Sequence, residues 1–442
     1  AGVTLALGLA LLLVTHRHRA ELKPRDGYLL VSLGWISVAA AGALPLVIGA
    51  PGLSVTDAFF ESISGLSTTG STVITGLEFL PHSVNLWRHA LHWLGGMGII
   101  VLAVAVLPLL GVGGMQMYRA ETPGPVKDSK LTPRITQTAK ALWLVYAGFT
   151  ATCAVILWAV GMTPFDAICH AFSVMALGGF STWDASIGHF NSPAIELVLM
   201  AFMVVAAMNF STHFVAFRRG DPQAYRRDPE ARWVVIWLLF SIVLLTAVVQ
   251  QEAVYDSLGK TLRAVAFSTV SIATTTGFVT ADFSVWPVFA PMWMLFLSCV
   301  ICSTGSTGGG IKLFRALVLI KQCFREMFLL VHPQAVAPLR IGNQVVPSRI
   351  AFSVLAFIFM YFMTIVVLVF ALLATQMDFI SAFTAVVSSI NNTGPGLGQV
   401  GPASNYGSLS DVQTWVCSLA MFLGRIELFT FLLLFSRTFW RK

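Results

Sequence analysis

Apolar residues run in long blocks along this chain, and the blocks alternate in length. Long ones lie at about 27–50 and 88–110, 139–160 and 193–217, 232–250 and 288–320, and 349–374 and 411–438. About 20 helical residues span the ~30 Å hydrocarbon core of a bilayer, so each block reads as a membrane-crossing helix. Between the members of each pair sits a shorter apolar stretch, at 58–66, 167–175, 262–273 and 380–390. At two to three helical turns these are too brief to cross. Each runs into a glycine-bearing segment: Ser67-Thr68-Thr69-Gly70-Ser71, Ala176-Leu177-Gly178-Gly179-Phe180, Thr274-Thr275-Thr276-Gly277-Phe278 and Asn391-Asn392-Thr393-Gly394-Pro395. The pattern of long helix, half-helix with glycine loop, long helix therefore repeats four times, with the glycines on the order of 100 residues apart.

Repeats that each cross twice share one orientation. They are thus parallel, related by a pseudo-fourfold axis along the membrane normal rather than inverted. The expected fold is an all-α polytopic membrane protein of four such units around a central ion pathway: 27–118, 139–220, 232–322 and 348–442, preceded by a segment 1–26. The apolar run ending near Val14 reads as the tail of a truncated helix rather than a signal peptide, because no small-residue cleavage site follows it.

Composition agrees with lipid as the solvent. Of 442 residues, 56% are hydrophobic and 11% charged, with a mean hydropathy of +0.79. A soluble domain carries roughly 25% charged residues. The net charge of +7 calls for no nucleic acid, because the basic residues gather in particular loops. These are Arg17, Arg19, Lys23 and Arg25; Arg119, Lys127, Lys130, Arg134 and Lys140; Arg218, Arg219, Arg226, Arg227 and Arg232; Lys321, Arg325, Arg340 and Arg349; and Arg437, Arg441 and Lys442. Such loops face the cytoplasm. The glycine loops then face outward, where Asp57, Glu61, Asp166, Asp184, Asp256, Asp282, Asp378 and Asp411 would gather cations. Six cysteines in mainly apolar surroundings, Cys299 and Cys302 among them, read as small packing residues rather than disulfide or metal ligands.

Irregular backbone at membrane depth is tolerated where it lines a cavity or is buried in protein. Glycine adopts the conformations that let successive carbonyls turn inward, and a ring of carbonyls can replace the water shell of a cation. Four glycine loops in matched positions therefore point to a cation filter made of Thr68, Thr69 and Gly70; Leu177, Gly178 and Gly179; Thr275, Thr276 and Gly277; and Asn392, Thr393 and Gly394. The threonines could add hydroxyl contacts or brace the loops.

Four glycines within the run Ser303-Thr304-Gly305-Ser306-Thr307-Gly308-Gly309-Gly310 should break the long block that contains them, at about 1 kcal/mol per glycine. The run is no phosphate-binding loop. Ile311 separates Gly310 from Lys312, no Ser or Thr follows the lysine, and no strand precedes it. Gly111-Val112-Gly113-Gly114 is no dinucleotide fingerprint either. His89 and His92 share a helix face, and without an acidic or cysteine companion they read as interfacial or capping residues. Arg425 lies inside an apolar block, where it needs water or a partner. Glu427, two residues on, points elsewhere on the helix.

The four loops, the Trp93-Leu94-Gly95-Gly96-Met97-Gly98 segment, the run from Gly305 to Lys312 and Gly424-Arg425-Ile426-Glu427 together resemble the Trk/Ktr/HKT potassium transporter superfamily, most closely its bacterial TrkH-type branch. The resemblance covers essentially the whole chain and implies that the helix ending near Val14 is the remnant of an N-terminal hairpin. It implies potassium uptake across the inner membrane by channel-like permeation, K+ as the transported ion, and no nucleotide on this chain. It further implies that Gly305, Ser306, Thr307, Gly308, Gly309 and Gly310 form an intramembrane gate, and that Arg425 faces the pore and opposes cations. A homodimer and a cytoplasmic, nucleotide-binding TrkA-type partner are also implied. In that family a serine at the first filter position is associated with sodium permeation in some plant members, so Gly70 points to potassium. Leu177 and Gly178 stand where the first repeat has threonines, which makes the ring less symmetric than that of a tetrameric channel. No nucleophile, base and orienter occur together, so an enzyme is not expected. A sodium- or proton-coupled symporter and a non-conducting membrane scaffold are the rival readings.

Overall fold

The computed structural model describes residues 2–15, 24–50, 52–101, 135–342, 344–426 and 428–440. Arg17, Arg19, Lys23, Arg119, Lys127, Lys130, Arg134, the 111–114 glycines, Glu427, Arg441, Lys442 and the end of the 88–110 block lie outside them.

The described residues hold four units, each a long helix, a half-helix and a further helix. The long helix is Pro24–Gly49, Ile135–Ala159, Pro229–Gln251 or Ser348–Leu373. All four contain a stretch long and apolar enough to cross a bilayer. The half-helices are Val55–Leu66, Pro164–Ala176, Leu258–Ala273 and Phe379–Ile390. Each begins at a side-chain cap, where Ser54, Thr163, Ser257 or Asp378 accepts from the backbone N–H three residues on. Such a cap satisfies one of the donors that a helix start leaves orphaned.

Every half-helix packs against both long helices of its own unit. The second helix of each unit also packs on the half-helix of the next, and the fourth unit's second helix, Asp411–Arg425, closes on the first unit's half-helix. Four units joined this way make a closed ring. The outer faces stay apolar: Phe240, Val243, Phe359 and Phe370 are exposed, as lipid-facing residues should be.

Two helices expected to be continuous are not. The 193–217 block is Pro193–Ala207 followed by Phe210–Arg219, bent by 97°. The 411–438 block turns by 108° after Arg425. The first break is stabilised locally and across units. Asn209 caps the second segment by accepting from the Ser211 N–H at 2.8 Å. The backbone groups freed by the break bond to the third unit, Ser303 N–H to Ala207 O at 3.0 Å and Phe210 N–H to Gly305 O at 3.1 Å. Apolar periodicity cannot reveal such a break, because the freed groups find partners more than 90 residues away. The third unit's second helix is interrupted as expected, between Phe289–Val300 and Leu313–Val331. A short hairpin, Arg340–Ile341 with Gln344–Val345, follows it.

Candidate ion filter and intramembrane loop

All four half-helices end the same way. The N–H of Thr69, Gly178, Thr276 or Thr393 bonds back to the carbonyl of Ser64, Ser173, Ser271 or Ser388, five residues earlier, at 2.8–2.9 Å. The residue between lies in the left-handed region: Thr68 (φ 56°), Leu177 (54°), Thr275 (59°) and Asn392 (54°). This is the 6→1 closure that usually takes glycine. For β-branched Thr68 and Thr275 the conformation is a genuine outlier, costing roughly 1–2 kcal/mol each. Strain of this kind persists only where the surroundings over-determine it.

The strained turn swings the chain into an extended stretch ending at the glycine. Gly70, Gly179, Gly277 and Gly394 all have positive φ, from 77° to 98°. At each one a side chain is excluded by the neighbouring unit. A Cβ on Gly70 would run into Gly178 O, on Gly179 into Thr276 O, on Gly277 into Thr393 O, and on Gly394 into Thr69 O. The contacts run from unit one to two to three to four and back to one. The backbone of four loops thus converges on one axis, and one cavity, of about 90 Å³, is lined by all four glycines. A second cavity, of about 630 Å³ and bordered by Asp184, Asp282, Thr280 and Asn405, is also lined by Thr72 and Leu77, which line the first.

The threonine hydroxyls brace the loops. Thr69 Oγ1 pairs with Ser67 Oγ at 2.7 Å and Thr276 Oγ1 with Thr274 Oγ1 at 2.8 Å, while Thr275 Oγ1 accepts from Gly309 N–H at 3.0 Å. The four serines six residues before the glycines escaped the sequence reading, although their constant spacing was visible there. Ser64 Oγ donates to Ser71 O at 2.6 Å and Ser271 Oγ to Phe278 O at 2.7 Å.

The histidines are neither interfacial nor caps. His89 and His92 are fully buried behind the second loop. His89 Nε2 lies 3.2 Å from Phe180 O, and His92 stacks on the Phe180 ring at 4.0 Å. Their place follows from the packing of the first unit's second helix on the second unit's half-helix, which sequence spacing does not encode.

The outer acids are also used differently from expectation. Glu61 is fully buried and pairs with buried Arg88 at 2.7 Å. It also accepts from Thr72 Oγ1 and from Val73 N–H, tying the first loop to its scaffold. Asp57 and Asp166 occupy first turns, and Asp282 and Asp378 are caps. Asp184 accepts from the Gly76 and Leu77 N–H groups. These acids organise the loops, and Asp184 and Asp282 also border the larger cavity.

At the half-helix C-termini lies the 301–312 segment. It touches the second and fourth units and the half-helix end of its own, third unit. Thr307 Oγ1 donates to Met175 O of the second unit at 3.0 Å. Gly309 approaches Thr275 of the third so closely that a Cβ on it would strike Asn391 O of the fourth. Arg425 of the fourth unit donates to Thr307 O at 2.8 Å and to Gly95 O of the first at 3.1 Å. Lys312 Nζ donates to Gly308 O. At its other end Thr304 is held by Glu230 Oε1 at 3.2 Å. Arg425 is 1% exposed, and its described partners are backbone carbonyls. Helix C-termini carry partial negative charge, so their convergence suits either this guanidinium or a cation.

Among the described residues no group of three His, Cys, Asp or Glu side chains could hold a metal ion. Cys302 Sγ packs 3.4 Å from Thr274 O, and all six cysteines are free thiols.

Comparison with known proteins agrees with this geometry. The family model described as "TrkH: Cation transport protein" matches residues 2–442. The chain is 50% identical over 433 residues to the Trk system potassium uptake protein TrkH of Vibrio parahaemolyticus, covering 96% of this chain and 88% of that protein. It is 46% identical over 441 residues to TrkH of Escherichia coli K12, covering 100% and 91%. The crystal structure of the potassium transporter TrkH from Vibrio parahaemolyticus superposes with a TM-score of 0.88 at 46% identity, over 96% of this chain and 87% of that one.

Proposed function

The chain belongs to the TrkH family of cation transport proteins, multi-pass proteins of the bacterial inner membrane that act in potassium uptake and not as enzymes; from that premise we propose how it moves the ion. K+ passes along the axis of the four units, held where the Gly70, Gly179, Gly277 and Gly394 loops meet. The observation that carries this reading is the closed circuit of close approaches, each glycine against a carbonyl of the next unit. The number and field strength of such dipoles govern which cation sheds its water. Permeation is passive along this path, and no side-chain ligand is required.

The 305–310 segment acts as the gate. It lies against the second, third and fourth units at the inner end of the ring, and Arg425, which also bonds Gly95 O of the first, pins it through Thr307 O. Opening requires those bonds to part and the segment to move aside. Its glycines, two of them at positive φ, make the backbone change inexpensive. The signal for opening reaches it from a cytoplasmic nucleotide-binding TrkA-type partner on a homodimer of this chain. Exposed Arg219, Arg226, Lys321 and Arg340 supply a basic face for docking.

Rescue of a potassium-uptake-deficient cell at low potassium, with the partner supplied, tests the activity. Flux of potassium, rubidium, sodium and lithium through the reconstituted chain tests the filter. Deleting part of 305–310 should raise flux; unchanged flux in a folded deletion discards the gate. A reversal potential that follows an imposed sodium or proton gradient would replace permeation with symport.

A further inference from the structure

The four filter glycines are not equivalent. Gly394 O accepts two side-chain hydrogen bonds, from Tyr406 Oη at 2.8 Å and from Ser71 Oγ at 3.2 Å. Among the described residues, the carbonyls of Gly70, Gly179 and Gly277 accept none. A carbonyl oxygen offers two lone pairs, so protein donors engage both of those on Gly394. The tyrosine proton is committed there, because a carbonyl can only accept. Ser388 Oγ, 3.0 Å from Tyr406 Oη, must then donate to that oxygen or to Ala385 O.

Tyr406 is fixed for this role. It is 2% exposed, its ring lies 5.4 Å from Phe60, and its N–H donates to Thr72 O at 2.9 Å. The backbone departs at the same place. Gly394 has φ 98° against 77–83° for the other three, and a Cβ placed on it would stand 2.7 Å from the next unit's carbonyl, the widest such clearance of the four. Hydrogen bonding and backbone geometry thus single out the same unit.

Resting on the reading of this ring as the ion filter, we infer that Tyr406 is a specificity-determining positioning residue. Together with Ser71 it withdraws the fourth glycine carbonyl from cation binding, leaving three free dipoles at that level. Discrimination between potassium and sodium is correspondingly weaker than four free carbonyls would give.

The test is the ratio of sodium to potassium dissociation constants, measured by calorimetric titration of the full chain in detergent. Tyr406→Phe keeps the ring and its packing and removes only the hydroxyl. It should raise the preference for potassium by roughly fivefold, the equilibrium effect of one hydrogen-bond-scale interaction. Ser71→Ala should shift it the same way by less, and it decides the matter alone if Tyr406→Phe does not fold. A purely structural tyrosine would change thermal stability and leave the ratio in place. Gly277→Ser is the control within the ring. If it alters the ratio while Tyr406→Phe and Ser71→Ala do not, this inference is overturned and the filter stands. If none of the three alters it, the filter reading falls and takes the inference with it.

Discussion

Placing a single methyl group at Gly277 should abolish most transport without unfolding the protein. The alanine Cβ would land on Thr393 O, closer than the 2.7 Å clearance at Gly394 and inside the 3.0 Å that real Cβ atoms keep. That obstacle is main chain, so no side chain can swing away from it, and one of the two loops must retreat. Alanine at φ 83° also costs roughly 1–2 kcal/mol. Retreat of a loop removes at least one carbonyl from the ion, an interaction with a charged group worth roughly 1.5–3 kcal/mol. Together these amount to about 2.5–5 kcal/mol against the occupied ring, or a loss of flux on the order of 10²-fold. Rubidium uptake into proteoliposomes, normalised to folded protein, measures it. Gly70→Ala and Gly179→Ala should behave alike, and Gly394→Ala should be the mildest of the set. Gly34→Ala and Gly148→Ala, where nothing lies within 4 Å of the new methyl, are the neutral comparison. Wild-type uptake by folded Gly277→Ala would refute the claim that four backbones meet around the ion.

Other consequences can be checked independently. Arg425→Ala removes the bonds to Thr307 O and Gly95 O together with a positive charge near the pathway; cation flux should rise by roughly tenfold, the effect of ~1.4 kcal/mol, and a folded variant with reduced flux would show the arginine to be only a brace. Glu61→Gln leaves Arg88 buried beside a neutral partner; thermal unfolding in detergent should show a loss of several kcal/mol, about 3–5 for a broken buried pair, and an unchanged melting temperature would mean that Arg88 needs no counter-charge. Hydrogen bonds from the Ser381 backbone N–H, and then from its side chain, hold the Asp378 carboxyl below its ordinary range. A carboxyl with a lowered folded pKa stabilises the fold above its unfolded pKa and loses that effect as pH falls through the folded value. The melting difference between wild type and Asp378→Ala should therefore narrow on acidification below the ordinary carboxylate range; a constant difference would show that the charge contributes nothing.

The length of each apolar block and the glycine after each short one were enough to specify four matched units in lipid, because bilayer thickness and the backbone's need for partners leave a chain few alternatives. Gly70, Gly179, Gly277 and Gly394 could be aligned from sequence because each follows a short apolar stretch at the same offset, although the carbonyl that excludes a side chain from each belongs to another unit. What a side chain touches in another unit was not legible. The sharp bend at Asn209, the burial of His89 and His92 behind Phe180, the Glu61–Arg88 pair and the hold of Tyr406 on Gly394 all join residues from separate elements. Their sequence spacing carries no periodic signal. Only closure of the ring brings Thr69 against Gly394, 325 positions on (394 − 69), so only the tertiary structure decides which carbonyls remain free to meet an ion.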